Sequence, residues 1–242
     1  MIWVKVAAAG QSLNFLLDSG AGASVLDLAA ARRLGLKPGA RQTVQGVDGR
    51  GVAYRIDGFS ARVAGVTVAS SLLAMDMRGL GASCGRRIDG LLGADFFRDR
   101  IVQIDFAAET IRLLDRSEMK TAGGEVLPLT RRNDCLCVRA AVNGGAPEWL
   151  RVDTGCNSAL EWVVTGDRAK QFGLTTIGLH AGSAREFHTD VQLGGTRLAA
   201  VKTGVHTAPM FAGEAGLIGN GLLARFIVTI DAAQRRCVLA RR

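Results

Sequence analysis

The chain carries the run GLLGADFFRDRIVQID at residues 90–105 and a second version of it, GLIGNGLLARFIVTID, at residues 216–231. The two runs align without a gap, and seven of their sixteen positions are identical. Upstream, an apolar stretch that ends in Asp18-Ser19-Gly20 has a counterpart that ends in Asp153-Thr154-Gly155. A repeated order of elements at this spacing indicates two structural units of one design. The sequence therefore predicts two pseudo-symmetric lobes.

Alternating apolar and polar residues predict that each repeat begins and closes with a pair of β-strands. The predicted strands are residues 2–8, 13–17, 101–106 and 110–114 in the first half and residues 136–142, 148–152, 226–230 and 236–239 in the second. Turns are expected at Gly10-Gln11 and at Asn143-Gly144, a strong hairpin signal. Short helices are expected at residues 26–34 and 167–172, each ended by a glycine. The pattern predicts an all-β protein with short helices.

The polar segment 116–124 ends in two glycines and is the expected site of the connection between the lobes. This places an N-terminal lobe at residues 1–115, a linker at residues 116–128 and a C-terminal lobe at residues 129–242. With 242 residues, the chain is long enough for each lobe to bury a modest core.

Composition narrows the classes of protein and of partner. The hydrophobic fraction is 48% and the charged fraction 21%, which is typical of a globular protein. No apolar run reaches the roughly 18 residues that a membrane span needs, so no span is expected. The net charge is +8, but the basic residues are scattered and no nucleic-acid-binding motif accompanies them. Nucleic acid is therefore not expected as a partner.

Five cysteines and three histidines show no zinc-binding spacing, so neither a metal nor a cofactor is expected. The disulfide state of the cysteines stays open at this point. Cys156 is a conceivable nucleophile with a histidine as its base. The spacing of the histidines matches no such signature, and surface or strand positions explain them better. The histidines are His180, His188 and His206.

Residues 18–26, with the sequence DSGAGASVL, resemble the D-[ST]-G-A-x-x-[ST]-V-[IL] motif of the retropepsin and pepsin superfamily, especially its bacterial retropepsin-like members. The helix that ends at residues 31–36 is also typical of those bacterial proteins. The G-L-x-G elements at residues 90–93 and 216–219 are similar to the family's hydrophobic-hydrophobic-Gly element, which packs beneath the catalytic loop. The resemblance covers nearly the whole chain, once per half, and implies a bilobal all-β acid protease fold.

The resemblance implies that Asp18 and Asp153 are the catalytic pair of an aspartic endopeptidase, with the substrate in a cleft between the lobes. Two carboxylates held about 3 Å apart cannot both ionise, so they share one proton. Such a pair activates a water as general base and protonates the leaving group as general acid. The residues implied to support the two active-site loops are Ser19, Gly20, Thr154 and Gly155.

The family usually covers its cleft with a β-hairpin flap, and Gly46, Asp48 and Gly49 lie where the resemblance implies one. Asp-Gly is a good hairpin turn. Tyr54, the only tyrosine, borders this hairpin and either lines the cleft or is a half-exposed strand residue.

The second motif departs from the family pattern, because residues 156–160 do not continue as A-x-x-[ST]-V and Ala159 lacks the usual hydroxyl. This departure keeps a second hypothesis open, a non-catalytic peptide-binding module of the same fold. Both hypotheses imply a peptide or protein partner. A monomer is expected, because two lobes in one chain remove the need to dimerise. The expected location is cytoplasmic if Met1 is the native start, and periplasmic or in the cell envelope if a signal segment has been removed.

Overall fold

The structure is a computed structural model that describes residues 1–46, 49–68, 71–164, 187–206 and 213–241. The chain divides into two units, Met1–Phe96 and Phe97–Arg242. Both are built mainly of β-strands with a few short helices, which confirms the all-β class. In the described ranges, no helix has the length and apolar character that crossing a membrane requires.

The first unit contains nine strands and two short helices within its described residues. The strands are β1 (Trp3–Ala8), β2 (Gln11–Leu17), β3 (Val25–Asp27), β4 (Arg41–Gly46), β5 (Gly49–Asp57), β6 (Ala61–Val63), β7 (Val66–Thr67), β8 (Ser71–Met75) and β9 (Gly90–Leu92). The helices are α1 (Leu28–Arg33) and α2 (Arg78–Ser83). The strands form one sheet in the order β4-β5-β8-β3-β9-β2-β1-β6-β7.

The β1–β2 hairpin follows the predicted alternation, and it buries Val6, Leu13 and Phe15. Its turn lies one residue earlier than expected, at Ala9 and Gly10, which have φ angles of 46° and 73°. Two positive φ angles make the mirror-image type of turn that matches the twist of paired strands. The stabilisation that the paired strands provide therefore exceeds the energetic cost of a positive φ angle at Ala9.

β9 contains most of the first G-L-L-G element and lies between β2 and β3, parallel to the first and antiparallel to the second. Glycine is required at both ends of this element because the neighbouring chain is close. A Cβ atom at Gly90 would overlap the ring of Phe15, and one at Gly93 would overlap the backbone of Ala23. The described core beside β9 is a cluster of buried apolar side chains from several elements. They are Leu16, Val25, Met77, Ile88 and Leu91.

The second unit contains eleven strands and one short helix within its described residues. The strands are β10 (Ile101–Asp105), β11 (Thr110–Leu114), β12 (Gly124–Arg132), β13 (Cys135–Val142), β14 (Glu148–Val152), β15 (Leu160–Val163), β16 (Phe187–Leu193), β17 (Thr196–His206), β18 (Gly216–Ile218), β19 (Ile227–Asp231) and β20 (Arg236–Ala240). The helix is α3 (Asn220–Leu223).

These strands form one sheet in the order β11-β10-β19-β20-β12-β13-β14-β18-β15-β17-β16. A further pairing of β13 with β16 closes the last six strands of that order into a ring. The Asn143-Gly144 turn is found where the sequence predicts it, with φ angles of 50° and 71°. β18, in the second G-L-x-G element, lies between β14 and β15, as β9 lies between β2 and β3.

The closing strands of the two sequence repeats pair with each other. β10 and β19 are antiparallel, and their register runs from Ile101 opposite Asp231 to Asp105 opposite Ile227. β10 therefore belongs to the second unit by its contacts, although it closes the first repeat. The lobe limits expected from the sequence, 1–115 and 129–242, stay a prediction.

The predicted helix at residues 26–34 is found as the shorter α1. It begins at Leu28 because Asp27 is its N-cap, and the Asp27 carboxylate accepts the N–H groups of Ala29 and Ala30 at 2.9 and 3.0 Å. A capping carboxylate satisfies backbone donors that have no partner inside the helix. The helix predicted at residues 167–172 lies outside the described residues.

Candidate active-site loops

The first candidate aspartate stands where β2 passes into a tight turn. The backbone N–H of Asp18 donates to the carbonyl of Leu92 on β9 at 2.9 Å. Oδ1 of Asp18 accepts the backbone N–H groups of Gly20 and Ala21, both at 3.0 Å. These bonds fix the carboxylate against its own turn. Ser19 and Gly20 are buried in the same turn, so the structure keeps the three residues of the first motif together.

A buried serine and an aspartate stabilise the far end of this loop. Oγ of Ser24 donates to Oδ1 of Asp95 at 2.7 Å, and the Ser24 N–H donates to the same oxygen at 2.8 Å. Oγ of Ser24 also accepts the N–H of Gly93 at 3.0 Å. The Asp18 loop is therefore tied at both ends to the G-L-L-G element.

The second candidate aspartate occupies a turn of the same construction at the end of β14. The Asp153 N–H donates to the carbonyl of Ile218 on β18 at 2.9 Å, and Oδ1 accepts the N–H of Gly155 at 2.9 Å. Asp153 is 9% exposed and Thr154 is fully buried. Asp153, Thr154 and Gly155 thus form one tight turn, in which the carboxylate is held by the N–H of Gly155.

The rest of the second loop, residues 156–159, has the same backbone arrangement as the first loop but different side chains. A Cβ atom at Gly219 would contact the carbonyl oxygens of Ser158 and Cys156, as one at Gly93 would contact those of Ala23 and Ala21. This correspondence places Ala159 at the position of Ser24. The residue that corresponds to Asp95 in the repeat is Gly221. Both members of the Ser24–Asp95 pair are therefore replaced in the second unit.

Asn220 provides part of the missing support. Its side-chain Nδ2 donates to the carbonyl of Thr154 at 2.9 Å, a bond for which Ala94, at the corresponding position of the first unit, has no side-chain donor. Its backbone N–H donates to the carbonyl of Cys156 at 2.8 Å, as the Ala94 N–H donates to the carbonyl of Ala21 at 2.7 Å. Asn220 is 6% exposed, so these bonds form away from water. A side-chain amide at the start of α3 thus adds one contact to the second loop, at Thr154 and not at the position of Ser24.

The cysteines are all free thiols. Burial raises the pKa of Cys156 and raises the pKa values of Cys137 and Cys237 to about 12. A raised pKa disfavours the thiolate, which is the nucleophilic form. His206 contacts Glu161 at 2.6 Å, so its partner is a carboxylate. The arrangement does not support a Cys156–histidine nucleophile.

The hairpin expected to form the flap is present as β4 and β5, which pair from Arg41 with Tyr54 to Gly46 with Gly49. Asp48 lies outside the described residues. Tyr54 is half-buried, and β5 places it between Arg41 of β4 on one side and Ala74 of β8 on the other. Of the three histidines, His180 lies outside the described residues. Nowhere in the described ranges do three or more acidic, histidine or cysteine side chains converge as a metal-binding group.

Residues 4–96 match the family model described as aspartyl protease. The match supports an aspartic protease family. It covers less than half of the chain and contains the Asp18 loop and the first G-L-L-G element. No curated protein matches the chain.

Sequence reasoning missed the residues that brace the two loops. Asp95 and Gly221 occupy the same position of the repeat, and Ser24 and Ala159 also correspond. Both positions differ between the two halves, but nine of the sixteen aligned positions in residues 90–105 and 216–231 differ as well, so the difference alone does not reveal the contact. Asn220 carried no signal of its own, because only the fold brings it to Thr154.

Proposed function

We propose that the protein is an aspartic endopeptidase whose catalytic pair is Asp18 and Asp153. The observation that carries the proposal is the equal construction of the two aspartate turns. In each unit the aspartate N–H donates to a strand of the G-L-x-G element, and Oδ1 accepts the N–H of the motif glycine. A pair mechanism needs two carboxylates presented in equivalent ways to one water.

In the proposed mechanism the two carboxylates share one proton. The ionised carboxylate takes a proton from the water as the oxygen attacks the scissile carbonyl carbon, and the protonated one donates to the carbonyl oxygen. The tetrahedral intermediate collapses when the C–N bond breaks, and the leaving nitrogen receives a proton from the pair. The proton belongs to the pair, so neither role is assigned to one residue.

The other predicted site residues take supporting roles in the proposal. Ser19 and Thr154 are buried beside the two aspartates, where their hydroxyls support the loops. Gly20 and Gly155 supply the N–H groups that hold the carboxylates. The proposed substrate is an extended peptide. Pairing with the β4–β5 hairpin would supply backbone hydrogen bonds, and side-chain pockets would supply selectivity. Gly46, Asp48, Gly49 and Tyr54 are the proposed flap residues.

A peptide-binding module without hydrolysis is the second candidate. The observation that favours it is the replacement of the Ser24–Asp95 pair by Ala159 and Gly221 in the second unit. A loop without this brace could hold Asp153 too loosely for catalysis, because catalytic groups need placement within about 0.5 Å.

Cleavage of an unstructured protein across a range of pH tests the proposal. The variants are Asp18→Asn, Asp153→Asn and the double variant, with Asp99→Asn as the control at an exposed aspartate. Each single variant is expected to lower kcat/KM by a factor of about 1,000 or more, and the double variant to be no slower than either, because the pair acts as one unit. The control should cleave like the wild type.

Cleavage that survives either single substitution would contradict the paired mechanism. A wild type that binds peptides with micromolar affinity but cleaves none of them would favour the binding module.

A further inference from the structure

A chain of hydrogen bonds leads from the loop that carries Asp153 to the far strand β17. Sγ of Cys156 and Oγ of Ser158 lie 2.9 Å apart, and Ser158 hydrogen-bonds the side chain of Glu161. Oε2 of Glu161 lies 2.6 Å from Nε2 of His206. The chain therefore starts three residues after Asp153 and ends on another strand of the same unit.

Chemistry sets the direction of these bonds. A carboxylate has no proton, so Glu161 accepts from Ser158 and from Nε2–H of His206. Either Cys156 or Ser158 supplies the proton of the bond between them. Hydrogen bonds from both His206 and Ser158 lower the pKa of Glu161, which makes its carboxylate the centre of the arrangement.

Gly204 on β17 is the residue that makes room for this carboxylate. β15 and β17 are parallel, with Glu161 opposite Gly204. A Cβ atom at position 204 would overlap the Glu161 carboxylate. The backbone of Gly204 is not in the left-handed region, so the glycine is needed for space and not for its conformational freedom. The side chain of Glu161 is 24% exposed and that of His206 50%.

In the first unit the corresponding stretch of the loop is tied down by Ser24 and Asp95. In the second unit both of these residues are missing, and the bonds from Cys156 and Ser158 arise on the same stretch. The second loop keeps its backbone bonds to the G-L-x-G element, among them the one from the Gly219 N–H to the carbonyl of Ala159 at 3.1 Å, and gains a side-chain link to β15 and β17.

We propose that Glu161 and His206 are positioning residues that hold the Asp153 loop through Ser158 and Cys156. The proposal rests on the proposed function, because it assigns these residues to the second half of the catalytic pair. Neither residue acts on the substrate in this assignment.

The titration of the pair agrees with this role. The hydrogen bond from His206 lowers the pKa of Glu161, and the bond to Glu161 raises the pKa of His206. In the described part of the chain, Glu161 on β15 and Glu214 ahead of β18 are the charged groups that act on His206. The titratable side chains of β16 are His188, which stands opposite Lys202, and Asp190.

The sign of each contribution follows from the direction of the shift. A raised pKa means that the stabilisation by His206 is complete below its ordinary value of 6.5 and is lost as the pH rises through the raised value. A lowered pKa means that the stabilisation by Glu161 is present above its ordinary value of 4.5 and is lost as the pH falls through the lowered one. Both contributions to stability are complete between the ordinary values of 4.5 and 6.5, so the ion pair is strongest in that range of pH.

Two variants of the full chain test the proposal. Glu161→Gln removes the charge, whereas Gly204→Ala keeps every ionisable group and displaces the carboxylate. Glu118→Gln, which breaks an exposed ion pair with Arg112 in the same unit, is the control for loss of a carboxylate. His188→Gln removes the second described histidine, so that its signal can be told from that of His206 in the NMR spectra.

Three measurements are made on each variant. Proton NMR of the histidine rings gives the pKa of His206. Mass spectrometry after brief treatment with iodoacetamide gives the alkylation rate of Cys156 relative to Cys84, the other partly exposed thiol. Peptide cleavage gives kcat and KM.

Both test variants are expected to lower the pKa of His206 and to speed alkylation of Cys156 about tenfold, because the loop loses hydrogen bonds to a charged group. kcat should fall more than KM rises, since the loop positions a catalytic group. Glu118→Gln should match the wild type in all three measurements.

A lower pKa of His206 with an unchanged alkylation rate of Cys156 would overturn the proposal, since the pair would then not hold the loop. An unchanged pKa of His206 in Glu161→Gln would overturn the proposal by itself, since Glu161 and His206 would then form no ion pair. A wild type that cleaves no peptide would contradict the proposed function, and the pKa and alkylation measurements would still decide the role of Glu161 and His206.

Discussion

Ser24 shows how much one buried hydroxyl can hold in this protein. The residue is 2% exposed, and its hydroxyl donates to Asp95 while it accepts from Gly93. Removal of the hydroxyl leaves the buried N–H of Gly93 without its acceptor, and it takes one of three donors from Oδ1 of Asp95, which keeps the N–H groups of Ser24 and Phe96. A buried donor without an acceptor costs more than the net value of a hydrogen bond. The Asp18 loop is therefore sensitive to a change six residues away from Asp18.

The Ser24→Ala variant is expected to lower the free energy of unfolding by about 2–3 kcal/mol. Ser83→Ala is the matched control, because the Ser83 hydroxyl donates to the carbonyl of Gly79 at an exposed site. Substitutions of that kind at the surface change the free energy of unfolding by no more than about 0.5 kcal/mol. Urea denaturation of both variants gives the comparison, and equal midpoints for Ser24→Ala and the wild type would contradict the bracing role.

Single residues differ in how far the sequence alone can locate them. The turns of Asp18 and Asp153 were predictable because each carboxylate is held by N–H groups two or three residues away. Asp95 was not predictable as a brace, because its partner is Ser24, 71 residues earlier. Local patterns carry no information about contacts of that separation.

At the scale of the elements, one carboxylate links two helices. Oδ1 of Asp27 caps α1, and Oδ2 accepts the backbone N–H of Met77, the residue that precedes α2, at 3.2 Å. Met77 provides no side-chain cap for α2. Asp27 thus fixes the start of one helix and the entry to the other.

Asp27→Ala is expected to cost about 2–4 kcal/mol, since it removes the N-cap and leaves a buried N–H without its acceptor. Asp27→Asn keeps an oxygen for the cap and loses only the acceptor for Met77, so it should cost clearly less. Thermal unfolding monitored by circular dichroism ranks the two variants. The same loss in both would show that the cap contributes nothing measurable.

The elements that the sequence predicted are those with strong local signals. The Asn143-Gly144 hairpin has its turn residues in the expected place, and α1 lies within the predicted range 26–34 but begins only at Leu28, after its N-cap Asp27. α2 and α3 were missed because they are short and neither has a side-chain cap. The turn at Ala9 was placed one residue late because alanine is rarely found at positive φ.

At the scale of the whole molecule, the pairing of β10 with β19 decides which segments fold together. Val102 and Ile104 of β10 are buried, and they stand opposite Ile230 and Val228. The sequence predicts both strands but not their pairing, because 126 residues separate the corresponding positions of the two repeats. Contacts between distant segments have to be seen in the structure.

This pairing predicts how fragments of the chain behave. A fragment of residues 97–242 keeps β10 and β11 and is expected to unfold in one cooperative transition. A fragment of residues 116–242 leaves β19 as an exposed edge strand, which favours aggregation. Urea denaturation and light scattering of the two fragments make the comparison. Equal stability and solubility would place the unit boundary near the predicted linker instead.

The replaced brace in the second unit also bears on how the two halves can have diverged. A serine at position 159 alone would bury a hydroxyl with no carboxylate at 221 to receive it. An aspartate at 221 alone would bring a Cβ atom to 2.9 Å from the backbone nitrogen of Ala159. That contact is with the backbone, so a serine at position 159 does not relieve it. The second loop therefore has no room for the carboxylate that braces the first, and restoring the symmetry of the repeat requires a shift of the backbone as well as both substitutions.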